Sequence, residues 1–365
     1  MQKRFQFQNN LLGWGVFLIA AVVYGLTIEP TASFWDCGEY IACAYGLEVG
    51  HPPGAPLFML IARIFGMLGG PGNAAWMINF MSGLCSAATI LFLFWTITRI
   101  AGKLLLREEK DYATNGRLVL MTGAIGALAF TFTDSFWFSA VEGEVYAMSS
   151  LFTAIVFWAM LRWEAVADEP HADRWLILIA YFIGLSIGVH LLNLLTIPAL
   201  VFIWYFRRNK KITRKGFLLA GLSAVGLLGA VQNGIIPGVV KLAAKFELFF
   251  VNNAGLPFNS GTIIYFALLI GLLTWGIYYT SRKHKAVWNT VLLSFAVLLI
   301  GYSSFLVIVI RAQAGTPMNE NNPSDAISLL SYLNREQYGD WPLLHGQHFA
   351  TPLDPETPYK DGEPL

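Results

Sequence analysis

Apolar residues run through the chain in long blocks, parted by short stretches that carry nearly all the charge. A helix needs about 20 such residues to cross a bilayer. Blocks of that kind lie near 11 to 28, 76 to 98, 118 to 134, 145 to 161, 217 to 236, 261 to 281 and 286 to 310. One more block, 175 to 206, has 32 residues, too many for one straight crossing and somewhat few for two. The stretch "PLFMLIARIFGMLGG" follows Pro52, Pro53 and Pro56 and has Arg63 at its middle. It reads as an amphipathic helix lying on a membrane surface.

Lys and Arg settle the hairpin question, because they accumulate in cytoplasmic loops. With the amino terminus inside, 18 of the 24 basic residues fall in inner segments, provided that block 175 to 206 crosses twice with its turn near His190. The expectation is an all-α polytopic membrane protein of about nine transmembrane helices, with amphipathic interfacial helices in its outer loops. Residues 1–310 form the transmembrane domain, with a first outer loop at 29–75. Residues 311–365 form an outer-face segment with one short helix near 324–337. Block 11 to 28 lacks a following A-x-A-like site and reads as an uncleaved anchor.

Composition agrees. The 365-residue chain is 56% hydrophobic and 13% charged, with a mean hydropathy of +0.55, whereas soluble domains are about a quarter charged. Neither a P-loop nor a dinucleotide fingerprint occurs in a plausible context, which disfavours an ATP-driven pump. Cys37 and Cys43, six apart on a helix, are too distant to bridge. No compact His/Cys/carboxylate set has metal-ligand spacing, so no structural zinc is inferred.

Chemistry concentrates in the outer loops. Residues 31–58 hold Asp36, Glu39, Glu48 and His51 and no Lys or Arg. Asp36 and Glu39, at i and i+3, share a helix face. Two carboxylates at a membrane boundary suit a general base, since desolvation and mutual repulsion raise carboxyl pKa values; solvated loop acids are the plain alternative. "GEVYAM" places Glu144 and Tyr146 at the start of the fourth span, with Glu142 two residues earlier; ordinary helix-start acids would look the same. His51 opens the rigid turn "HPPG", where a structural role and a substrate contact weigh evenly. His190, with Asn193, is a weaker candidate at the hairpin turn.

The ordered motifs "DCGEY", "HPPGAPLF", "GEVYAM", "GLSIGVHLLNLL" and "NENNPSDAISLLSYLNREQYG" resemble the GT-C superfamily of lipid-linked-sugar glycosyltransferases. The chain is most similar to domain-of-unknown-function family 2723, protein O-mannosyltransferase-like and including the animal plexin O-mannosyltransferase. The resemblance implies a polyprenyl-phosphate-linked sugar, mannose in the first instance, an acceptor hydroxyl on protein Ser or Thr, and inversion at the anomeric carbon. It implies Asp36 as the base; the spacing Asp-x-x-Glu departs from the family's adjacent Asp-Glu pair, which leaves the role of Glu39 open. The donor phosphate needs a cation, and Arg311, where the last span emerges, is the best placed, with Lys241 and Lys245 as alternatives. No cofactor is called for beyond the donor substrate, and a divalent metal is open but not indicated. The expected partners are the bilayer, the lipid-linked donor, an acceptor polypeptide and, since the family is usually longer, a separate chain supplying further spans; no nucleic acid is expected. The expected location is a bacterial inner membrane with the active site on the periplasmic face. A secondary transporter and a non-catalytic scaffold that kept the fold remain the rival classes.

Overall fold

The structure is a computed structural model and describes residues 1–339, 350–352 and 355–356. Among the described residues the regular structure is helical, apart from one isolated bridge between Val49 and Asn319. The helices are α1 (Gln2–Leu26), α2 (Cys37–Gly46), α3 (Pro56–Leu105), α4 (Asp111–Thr114), α5 (Gly116–Thr131), α6 (Asp134–Ala140), α7 (Val145–Val166), α8 (Arg174–Ile187), α9 (Ile197–Arg208), α10 (Arg214–Gly229), α11 (Ile236–Leu248), α12 (Ser260–Arg282), α13 (Ala286–Tyr302), α14 (Leu306–Gln313) and α15 (Ala326–Leu333). A 3-10 turn, Leu191–Thr196, leads into α9, and π-helical turns flank α11 at Ala230–Ile235 and Phe249–Asn253.

Among the described residues seven helices are long and apolar enough to cross a membrane, eight if α5 and α6, bent by 70°, form one crossing. The expected nine is therefore not reached by length. The shortfall is α8, whose 14 residues rise only about 21 Å against a hydrocarbon layer of about 30 Å. The hairpin itself is present. Arg208, at the end of α9, lies 3.6 Å from Asp173 just before α8, and Arg207 pairs with Asp168 at 2.5 Å, so the chain returns to the end it left. The turn between the two legs is Gly188, Val189 and His190.

That end of the bundle gathers the basic loops. The amino-terminal nitrogen sits 3.7 Å from Glu109, Phe5 packs edge-on to Tyr112, and Lys103 pairs with Glu164. The opposite end gathers the 27–55 segment, the 141–144 loop, the hairpin turn and the segment after α14. The surface-helix motif is a separate helical arm of α3: Gly70 takes φ 65°, a left-handed value that favours glycine, and Pro71 removes the next backbone donor, which sets Pro56–Gly69 off from the long arm behind it.

The main apolar core joins α7, α8, α9, α11, α13, α14 and α15, with the fully buried Trp163 and Tyr332 within it. Its tightest crossing is α8 on α13. A β-carbon on Gly184 would stand 2.2 Å from the Leu298 carbonyl oxygen, and one on Gly301 would stand 2.5 Å from the Leu185 nitrogen. In a bilayer, helices gain little from hydrophobic burial against one another, so close backbone approach at small residues carries much of the association. A buried acid fixes the next pair: Glu247 on α11 accepts the backbone N–H of Asn259 at 2.5 Å and of Thr262 at 2.8 Å, closing the amino terminus of α12.

Two outcomes check this architecture. Gly184→Val forces the α8–α13 crossing apart and lowers stability by about 1–3 kcal/mol, whereas Gly226→Ala, which meets nothing within 4 Å, leaves the melting temperature of the detergent-solubilised protein unchanged. Single cysteines at the exposed positions Asn209 and Asn321 label from opposite sides of sealed vesicles.

Candidate functional site

The site is built on α2 and on the turn that follows it. The segment before α2 is tied to the bundle by Asn79, whose amide donates to the carbonyls of Glu29 (2.6 Å) and Thr31 (2.8 Å), while the Glu29 N–H donates to the Val141 carbonyl (3.1 Å). This brings the first acidic segment against the second. Trp35 is 88% exposed and takes φ 61°, a left-handed conformation that costs a bulky residue energy and clusters at functional sites. Asp36 follows at the N-cap position of α2, and its carbonyl accepts the Tyr40 N–H at 2.9 Å.

Asp36 and Glu39 converge on His51, as their shared face implies. One Glu39 oxygen accepts the His51 backbone N–H at 2.7 Å and lies 2.9 Å from its Nδ1. Nδ1 therefore carries a proton toward Glu39, and Nε2 faces Asp36, 3.9 Å away. The carboxylate thus orients the imidazole. Asp36 is the open member, with 58% of its side chain exposed, against 24% for Glu39.

The "HPPG" turn is held from beneath. The Gly54 N–H donates to the His51 carbonyl at 2.9 Å, with the Pro52–Pro53 bond cis. Gly54 has φ 73°, and a β-carbon there would meet the Tyr332 hydroxyl at 2.8 Å. That buried hydroxyl donates to the carbonyl of Gly50 at 2.6 Å. Tyr332 belongs to α15, which forms as expected within the last motif and opens with a capping box of Asp325 and Ser328. The segment before it joins the first loop as well: the Val49 N–H donates to Met318, the Glu320 N–H donates to Val49, and Glu48 accepts the Met318 N–H at 3.1 Å.

Glu144 is the N-cap of α7. It is 5% exposed and accepts the Val145 N–H at 3.1 Å. Burial pushes its carboxyl up to about 7; the charges of Glu142 and Asp36 add to this, and the Val145 N–H and His51 oppose it. Burial also raises Glu142, whose carboxylate accepts the Ser33 hydroxyl. Tyr40 lies edge-on to His51 at 5.6 Å, and its hydroxyl is held protonated far above its ordinary range by burial and then by Glu144.

Tyr146 and His190 meet at one wall, ring centres 5.3 Å apart. His190 accepts the Leu192 N–H at Nδ1 (3.1 Å), and burial lowers its pKa, with the charge of Arg335 adding to the effect. Arg335 itself lies over the Tyr338 ring at 4.9 Å. Asn193 donates to Ser186 at 2.9 Å inside the hairpin. Arg311 donates from Nε to the Leu47 carbonyl (2.6 Å) and from Nη2 to that of Gly46 (3.3 Å), closing the carboxyl end of α2. Glu39, His51, Arg311 and Tyr332 line a cavity of about 20 Å³. Lys241 and Lys245 lie exposed on α11. Among the described residues no three His, Cys, Asp or Glu converge to hold a metal ion.

Sequence reasoning passed over Ser33, Asn79, Tyr332 and Arg335. The last two sit inside a motif already singled out, but the reach of Tyr332 to the first loop spans 282 residues of chain. Ser33 and Asn79 carry no pattern that marks them.

The fold and the site define a polytopic helical membrane protein with a carboxylate–imidazole cluster at one end of its bundle. Residues 36–213 match the family model described as the protein O-mannosyl-transferase TMEM260 N-terminal domain. Protein O-mannosyl-transferase TMEM260 of Mus musculus is 29% identical over 172 residues, 47% of this chain and 22% of that protein. Its Dictyostelium discoideum namesake is 30% identical over 144 residues, 39% of this chain and 16% of the relative. The matched region thus spans about a fifth of these relatives' length. Both are eukaryotic, so the expected bacterial inner membrane finds no support in them. No solved structure matches the chain.

An acid whose folded pKa is raised binds its proton more tightly folded than unfolded, so stability falls as pH rises from the ordinary carboxyl range through about 7. Glu144→Gln removes that loss. Its melting temperature is expected to exceed the wild type's at pH 8, and the difference to shrink by pH 5, as read by thermal unfolding in detergent.

Proposed function

We propose that this chain carries the transfer site of an inverting, GT-C type glycosyltransferase. It moves a sugar, mannose by likeness to its relatives, from a polyprenyl-phosphate donor to a Ser or Thr hydroxyl of a polypeptide. The observation that carries the reading is the Glu39–His51–Asp36 arrangement, with an open carboxylate at the outer end of an apolar bundle. A hydroxyl is a weak nucleophile until its proton is being removed. Asp36 takes that proton, the hydroxyl oxygen forms its bond to the anomeric carbon, and the bond from that carbon to the phosphate oxygen breaks. Polyprenyl phosphate leaves with the electron pair. Glu39 holds the imidazole ring, and His51 faces Asp36 with Nε2.

The donor phosphate needs a cation, and Arg311 and Arg335 stand at this end. Arg311 gives two donors to carbonyls of α2; the positive charge of Arg335 acts on His190. We assign the phosphate to Arg335 together with Arg311. The basic end faces the cytoplasm by the distribution of Lys and Arg, which sets the site on the far face, where a sugar must arrive on a lipid. A transporter reading is weaker, because the acids cluster at one end of the bundle and not along its middle.

A second reading has its own observation: a carboxyl with a pKa near 7 exchanges protons well near neutrality, which favours Glu144 as base. Turnover at saturating radiolabelled polyprenyl-phosphate-mannose with a peptide acceptor separates the two. Asp36→Asn is expected to lower turnover by at least about a hundredfold and Glu39→Gln by less, with donor binding kept. Near-normal turnover in Asp36→Asn with collapse in Glu144→Gln moves the base to Glu144. Arg335→Ala is expected to weaken donor binding by about tenfold or more, the usual scale of a lost charge-assisted hydrogen bond, without changing the acceptor requirement. Unchanged donor binding in Arg335→Ala leaves Arg311 as the phosphate ligand.

A further inference from the structure

A cavity lies at the basic end, far from the acidic cluster. It encloses about 530 Å³ between α1, the last turns of α3 and the last turns of α7, a volume in the range of small-molecule sites. Its walls are unusual for the neighbourhood of a bilayer. Arg99 and Arg162 line it, and α1 adds the amides of Gln6 and Asn9, while no carboxylate lies on its surface among the described residues. The floor is aromatic: Trp95 and Trp158 lie 6.0 Å apart.

The charges around it are unevenly matched. Lys103 also lines the cavity, but it is paired with Glu164, and the nearby Glu109 faces the amino-terminal nitrogen. Arg162 has no carboxylate partner in the described structure; its guanidinium lies over the rings of Trp158 (6.0 Å) and Trp175 (5.9 Å). Stacking of that kind holds the planar group in place and leaves its edge N–H donors for a ligand. Arg99 likewise has no ion pair among the described residues. Two polar atoms of lining residues, Asn9 Oδ1 and Trp95 Nε1, are shielded from solvent and have no hydrogen-bond partner, a condition that buried polar groups seldom tolerate.

Two guanidinium groups, one of them stacked on tryptophan, with amides, an aromatic floor and no acid suit an anion with several acceptor oxygens and a polar body. We infer that this cavity binds a phosphate-bearing headgroup. A phospholipid whose acyl chains lie beside α1 and a soluble phosphate ester present the same chemistry. The site is separate from the outer cluster and does not depend on the reaction assigned to it.

The test uses the full chain purified in detergent. Native mass spectrometry reads the retention of phosphatidylglycerol against phosphatidylcholine, and thermal unfolding reads the effect of added glycerol 3-phosphate. Retention of phosphatidylglycerol over phosphatidylcholine by about tenfold, lost in the Arg99→Gln/Arg162→Gln double variant and kept in Lys211→Gln, establishes the site with a lipid occupant. Stabilisation by glycerol 3-phosphate without lipid preference, lost in the same double variant, establishes it with a soluble occupant. Gln6→Trp guards against an unfolded arginine variant: it fills the cavity without altering charge and is expected to abolish whichever effect is seen. Neither effect in the wild type, or an effect that survives both the double variant and Gln6→Trp, overturns the proposal.

Discussion

An ionised group in hydrocarbon costs several kcal/mol unless it is paired or reaches water, and this constraint divides the molecule into two chemically different ends. One end collects the basic loops together with the acids that answer them, Asp168 to Arg207, Asp173 to Arg208 and Glu164 to Lys103. The other collects Asp36, Glu39, Glu142 and Glu144, where the imidazole of His51 is the nearest partner for two of them. Between the ends the bundle holds apolar side chains and backbone satisfied within its own helices. Glu247 shows the rule from the other side, being fully buried only because the backbone N–H groups of Asn259 and Thr262 take up its charge.

The acidic end keeps its shape because distant segments interlock there. Tyr332 reaches under the His51 turn, Arg311 closes α2, and the strand-like pairing of Val49 with Asn319 joins segments 270 residues apart. The carbonyl of Gly188, in the hairpin turn, accepts the N–H of Leu57 at 2.8 Å and so starts the arm of α3 that carries the turn.

The two carboxylate pairs are treated differently by their surroundings. Glu144 and Glu142 lie under the first loop, where burial favours the protonated form, whereas Asp36 stands open beside a histidine. Environments that push neighbouring carboxyl groups apart are how acid and base roles become separable within one cluster. Trp35 and Phe34, exposed at 88% and 75%, place aromatic surface beside Asp36.

Much of this was legible in the sequence because a bilayer allows few solutions. Block length and the placement of Lys and Arg marked the helices and the hairpin of 175 to 206, and the i, i+3 spacing put Asp36 and Glu39 on one face. The short helix within the last motif was also legible, and so was the separate arm before the long part of α3, from its short length, the prolines ahead of it and Arg63 at its middle. Tertiary structure alone decided the rest. The count by length fell below nine because α8 is only 14 residues, made viable by glycines that admit the backbone of α13. The meeting of Ser33 with Glu142 and of Tyr332 with the His51 turn depends on how helices pack across the whole chain. Local periodicity reports which face of a helix is apolar, but contacts between segments hundreds of residues apart leave no mark on it.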